Sequence, residues 1–141
     1  MVLWKALTFY FLLGFLFLGR YLENRFHKPI VWLVLFVLFT ATNLYYYSID
    51  ETGMSHVYSF FLFALLLLLS KKYFSETEYR SRLKYFIPLS IVSSLIILIR
   101  PTNLAFVGLV FLLDVRTWQD FTKRLRQVFT PLNMSILVVS F

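Results

Sequence analysis

Ile99-Arg100-Pro101-Thr102-Asn103 is the stretch on which the reading of this chain turns. It is a charged, proline-broken junction between two uncharged runs, residues 85–99 with 15 positions and residues 101–113 with 13. At a rise of about 1.5 Å per residue these runs reach about 22 and 20 Å, against a hydrocarbon core of about 30 Å. Each is short for a bilayer crossing. Arg100 is therefore expected where a guanidinium is costly unless it faces protein, water or lipid phosphate. That cost makes it the first place to look for function.

The surrounding composition fits a membrane. Of 141 residues, 60% are hydrophobic and only 15% are charged, whereas a soluble domain carries about 25% charged residues. There are too few polar side chains to clothe a globular core. The chain has no cysteine, which excludes disulfides and thiolate metal sites. Its two histidines, His27 and His56, lie far apart in the chain, so no metal site is read. No cleavable signal peptide is visible, because Met1-Val2-Leu3-Trp4-Lys5 runs directly into an apolar helix.

Outward from the junction, the chain reads as a series of apolar helices. Residues 1–19 form a first span, and a basic turn with Arg20, Arg25, His27 and Lys28 follows. Pro29 suits a helix start, and residues 29–49 give an uncharged run of 21 that ends in Tyr45-Tyr46-Tyr47, an aromatic belt. The loop over residues 48–56 is acidic and free of Lys and Arg. A third span covers residues 57–70, and a second basic turn carries Lys71, Lys72, Arg80, Arg82 and Lys84. The fourth element, Tyr85–Ile99, has Pro88 in its first turn and is expected to borrow length from the preceding Arg82-Leu83-Lys84, whose basic side chains snorkel; the fifth is Leu104–Leu113.

Residues 115–129 follow a different pattern. Val115, Trp118, Phe121, Leu125, Val128 and Phe129 recur at steps of three and four, with Arg116, Lys123, Arg124 and Arg126 between them. That spacing predicts a basic amphipathic helix on an anionic membrane surface. Pro131 then opens a run, residues 132–141, too short to span.

The positive charge explains orientation. With the loops at 20–28, 71–84 and 114–130 on one side, that side holds 12 of the 14 Lys and Arg residues. The positive-inside rule places these loops in the cytoplasm and the 48–56 loop and Arg100 outside. One helix through 85–113 would instead send Arg116, Lys123, Arg124 and Arg126 outward, and is rejected. The net charge of +7 needs no nucleic-acid partner. The expected fold class is all-α: a polytopic transmembrane helical bundle with five crossings, a truncated sixth and one interfacial helix at about 115–129. It forms a single transmembrane domain and is expected to be a piece of a larger protein.

Two outward loops can carry chemistry. At 100–103 a fixed cation meets the start of helix five, where Thr102 or Asn103 can cap the helix and its N–H groups face the same way as Arg100. A phosphate or pyrophosphate is the matching ligand. The 48–56 loop offers Asp50, Glu51 and His56, with Tyr58 just inside the next helix; a carboxylate there can act as a base or hold a divalent metal through oxygen. Adjacent carboxylates need not converge, so Asp50 and Glu51 are weak catalytic candidates. No P-loop, zinc motif, GxGxxG or Ser/His/Asp arrangement occurs.

Met54-Ser55-His56-Val57-Tyr58-Ser59-Phe60-Phe61-Leu62, preceded by Asn43-Leu44-Tyr45-Tyr46-Tyr47, resembles a segment of bacterial membrane glycosyltransferases of the GT-C type. Ile99-Arg100-Pro101-Thr102-Asn103 resembles the Arg-Pro-Thr turn of the same group. The resemblance implies transfer of a sugar from a polyprenyl-phosphate donor on the outer face of the bacterial inner membrane. The family's catalytic carboxylate lies in a large loop after its first helix, and this chain has no such loop. No catalytic role passes to Asp50 or Glu51 on that ground. What the resemblance leaves to this chain is part of a donor-phosphate site, with Arg100 foremost and Thr102, Asn103, His56 and Tyr58 as further candidate phosphate-binding residues. No cofactor is identified, and a divalent cation is compatible with the parent protein. The expected partners are the lipid bilayer and a lipid-linked sugar donor. The alternatives are a transporter or flippase with a broken helix, or a membrane subunit without a site.

Overall fold

The computed structural model describes residues 2–42, 46 and 56–140. Among them the chain is all-helical: α1 (Val2–Glu23), α2 (Lys28–Ala41), α3 (His56–Ser75), α4 (Tyr79–Ile99), a 3-10 turn (Pro101–Asn103), α5 (Leu104–Leu112), α6 (Trp118–Val128) and α7 (Pro131–Ser140). Three segments are long and apolar enough to cross a membrane: Ala6–Glu23, His56–Ser75 and Tyr79–Ile99. α2 and Pro101–Leu112 are apolar but shorter. The chain divides into two compact units, Met1–Leu68 and Leu69–Phe141.

Helix ends depart from the sequence expectation in informative ways. α4 has 21 residues and begins at Tyr79, so it takes in not only the expected Arg82-Leu83-Lys84 but also Arg80 from the basic turn. Long basic side chains can lie along a helix while their heads reach water, so charge alone does not end a helix. At about 1.5 Å per residue α4 reaches about 31 Å, a full span rather than a short one. Pro88 consequently sits inside α4 instead of in its first turn. For the same reason α3 runs through Lys71 and Lys72 to Ser75. α2 covers Lys28–Ala41 with Pro29 at its start, as expected. Of the remainder of the expected second span, Asn43, Tyr45 and Tyr47 lie outside the described residues, and Tyr46 is exposed.

In the first unit, aromatic side chains make the contacts. The Phe15 ring centroid lies 5.1 Å from Phe60, 4.8 Å from Phe11 and 6.2 Å from Phe39, joining α1 to α2 and α3. Gly14 permits the approach of α1 to α3: a Cβ there would stand 2.7 Å from Phe60 ring carbons and 3.3 Å from the Phe61 Cα. Leu7, Val31, Val57 and Leu66 are buried nearby. Much of α2 is turned outward, with Trp32 69% exposed. Apolar side chains on outer surfaces suit a lipid surround.

In the second unit, Phe86, Leu89, Val92 and Ile96 of α4 are buried, as are Val107 and Val110 of α5. α7 packs on α4. α5 ends in a tight link where Asp114 takes φ 68, a left-handed conformation that a short polar side chain tolerates. α6 is amphipathic and basic, as its spacing predicts, but starts at Trp118 because Thr117 caps it. The Asp120 N–H donates to Thr117 Oγ1 at 3.1 Å, and the Thr117 N–H and hydroxyl donate to Asp120 Oδ2 at 3.1 and 2.8 Å. This capping box satisfies donors that a helix start leaves open. The Thr117 hydroxyl, then its backbone N–H, hold the Asp120 carboxyl below its usual range.

Two glycines should respond oppositely to the same change. Replacing a helical glycine by alanine gains about 1 kcal/mol of helix propensity where there is room. At Gly108 a Cβ meets nothing within 4 Å, so Gly108→Ala should raise the unfolding temperature in detergent. At Gly14 the contacts with Phe60 and the Phe61 backbone outweigh that gain, since overpacking costs about 1–3 kcal/mol. Gly14→Ala should lower the unfolding temperature.

Candidate functional site

The junction at Arg100 is built by backbone hydrogen bonding. Arg100 ends α4 in an extended conformation, φ −150 and ψ 113, because the following proline disfavours a helical residue before it. Its N–H still donates to the Ile96 carbonyl at 3.3 Å. Pro101, Thr102 and Asn103 then make one 3-10 turn, closed by the Asn103 N–H donating to the Arg100 carbonyl at 2.9 Å. Arg100 and Thr102 are exposed, and Asn103 is half-buried.

The expected cap on helix five is corrected. Neither Thr102 nor Asn103 gives α5 a side-chain cap. Asn103 occupies the capping position but is helical, φ −69 and ψ −10, whereas capping side chains act from extended backbone. The Leu104 N–H is already taken by the Pro101 and Thr102 carbonyls. Asn103 points backward instead, its Nδ2 donating to the Ile96 carbonyl at 3.3 Å. That one carbonyl thus accepts two donors, and the amide ties the end of α4 to the start of α5. The result is a hydrogen-bonded turn that leaves Arg100 and Thr102 exposed, with fewer open N–H groups than the sequence implied.

The other sequence-derived candidates fall elsewhere. His56 begins α3, and Tyr58 follows in its first turn, half-buried with its ring centroid 5.3 Å from Tyr10. Both belong to the first unit, whereas Arg100, Thr102 and Asn103 are brought together in the second. Asp50 and Glu51 lie outside the described residues. No cluster of three metal-ligating side chains occurs among the described residues.

The structure adds a polar centre that the sequence reading passed over. Asn133, 2% exposed in α7, donates through Nδ2 to the Tyr73 hydroxyl at 3.1 Å and to the Gln127 carbonyl at 2.7 Å. The Tyr73 hydroxyl donates to the same carbonyl at 2.8 Å. Gln127 lies at the end of α6, so these bonds fasten α3, α6 and α7 together. The available signal was the one amide side chain in the run after Pro131, whose other polar residues are Ser135 and Ser140. Nearby, Arg124 Nη1 donates to the Phe111 carbonyl at 2.9 Å, and its guanidinium lies 4.3 Å from the Phe74 ring centroid. This charge closes the C-terminal end of α5.

Comparison of the chain with models of protein families, with curated proteins and with solved structures gave no match.

The backward bond of Asn103 has a measurable consequence. Asn103→Leu removes one donor from the Ile96 carbonyl while Arg100 keeps the other, so a loss of about 1 kcal/mol is expected rather than the larger cost of an orphaned group. Thermal unfolding in detergent would measure it. Faster amide exchange at Arg100 should accompany the loss.

Proposed function

We propose that this chain is part of a membrane glycosyltransferase of the GT-C type, with the α4–α5 junction forming part of its donor-phosphate site. One observation carries the reading: Arg100 and Thr102 are exposed on a hydrogen-bonded turn at the end of an apolar helix long enough to span. A fixed guanidinium there matches the charge of a lipid-linked phosphate leaving group, which preorganised donors stabilise as it departs. The resemblance around His56 and Tyr58 supports the same class. A transporter would sooner place its broken helix near the membrane midplane. Here α4 is long enough to reach across before the chain breaks.

The topology that goes with this reading has five crossings, α1 to α5, in a bacterial inner membrane, with α6 on the cytoplasmic surface. The α4–α5 junction then faces outward.

The native chain has no cysteine, so single substitutions report sidedness directly. Thr102→Cys should react with a membrane-impermeant maleimide from outside, and Thr122→Cys only after the membrane is opened. The opposite pattern overturns the topology. For the ligand, the full chain should retain polyprenyl phosphate, and Arg100→Gln should weaken retention by about ten-fold to a hundred-fold, the worth of a charge-assisted hydrogen bond. The matching polyprenol, which lacks phosphate, should be unaffected by Arg100→Gln. Equal retention of polyprenyl phosphate by native chain and Arg100→Gln would refute the phosphate site.

A further inference from the structure

A second place where apolar surface meets positive charge lies between α5 and α6, and it is independent of the transferase reading. The two helices enclose a groove of about 360 Å³, lined by Gly108, Phe111 and Leu112 on one side and Phe121, Leu125 and Phe129 on the other. Arg124 is the one charged side chain along it, and no hydroxyl, amide or carboxylate side chain lines it among the described residues. Its volume lies in the range of small-molecule sites, about 300–1,000 Å³. A polar metabolite finds no side-chain partner there other than Arg124, whereas a hydrocarbon chain gains burial along its length.

Three features keep the groove open and charged at its edge. Gly108 leaves its floor empty, since a Cβ there meets no atom within 4 Å. Arg124 is turned inward onto the Phe111 carbonyl and the Phe74 ring, which holds α6 against the end of α5. At about 100° per residue, Phe121, Leu125, Val128 and Phe129 share an arc of about 100°, with Arg124 on one flank and Arg126 on the other. Lys123, Arg126 and the preceding Arg116 are all exposed. Between residues 114 and 130 the four cations Arg116, Lys123, Arg124 and Arg126 outnumber Asp114 and Asp120. Trp118 is 76% exposed, as suits an amphipathic ring at a headgroup boundary.

We propose that this groove seats one acyl chain of an anionic phospholipid, with the exposed Arg126 on the flank of the apolar arc holding its headgroup. Apolar lining selects the tail, and positive charge at the rim selects the head. α6 then acts as a specific lipid-holding element rather than only as a helix resting on the surface.

Native mass spectrometry of the full chain in mild detergent tests this, with phosphatidylglycerol and phosphatidylcholine of identical acyl chains offered in equal amounts. The chain should retain one phosphatidylglycerol in about five-fold excess or more, given Arg124 and Arg126 on the two flanks of the groove. Arg126→Gln should abolish that preference while a lipid is still held, whereas Lys123→Gln, on the opposite face of α6, should leave it unchanged. Gly108→Phe, which fills the groove, should lower retention of both lipids about ten-fold. If Gly108→Phe does not extract as folded protein, Leu112→Trp at the rim takes its place with the same expected loss. Equal retention of the two lipids by the native chain, or undiminished retention with the groove filled, overturns the proposal. A dimer in the spectra that Gly108→Phe dissociates also overturns it, because a second copy would then occupy the groove.

Discussion

The second unit depends on the Ile96 carbonyl. It accepts the Arg100 N–H, which completes α4, and the Asn103 side-chain amide, which reaches back from the following turn. In an apolar surround an unpaired carbonyl is expensive, so a chain that stops a helix must satisfy the groups it leaves open. Proline at 101 stops the helix, and the asparagine two residues later supplies the compensating donor. The pair of bonds sets where α5 begins, and with it the display of Arg100 and Thr102. A 130 Å³ cavity lined from Phe86 and Ile97 on α4 and from Leu104 and Phe111 on α5 shows the two helices sharing a wall beyond the turn.

The same requirement governs the opposite end of α5. There the Phe111 carbonyl is met by Arg124, and the Gln127 carbonyl by Tyr73 and Asn133. Each of these donors meets a helix carbonyl, and Asn133 also donates to the Tyr73 hydroxyl. These bonds link elements distant in sequence, from Tyr73 to Asn133. Asn133 Oδ1 and Arg82 Nε are buried without a hydrogen-bond partner. The first unit uses a different means: rings from α1, α2 and α3 interlock around Gly14, where shape alone sets the approach.

Several parts of this architecture were legible beforehand. Apolar runs located α1, α3 and α4, and the three-and-four spacing of Trp118, Phe121, Leu125 and Val128 located α6. Arg100-Pro101 marked the break to within a residue, because proline's geometry is a local property. Helix limits at charged ends were not legible. Arg80, Lys71 and Lys72 read as loop residues, yet all lie in helices, since a long basic side chain does not interrupt the backbone. The role of Asn103 was misread for a related reason. A capping residue and a residue that bonds backward look alike in sequence, and only the backbone dihedral separates them.

By itself, the sequence determined the class of surroundings, the helical content and the position of the charged break. These follow from composition, periodicity and the covalent limits of proline, none of which needs a partner. Tertiary structure alone decided which carbonyl Asn103 serves, that Arg124 turns inward while Arg126 stays exposed, and that Asn133 meets Tyr73 across the unit. Those choices depend on distances between elements far apart in the chain, where a difference of an ångström makes or removes a hydrogen bond. They also created the groove beside Gly108, a space that belongs to no single helix.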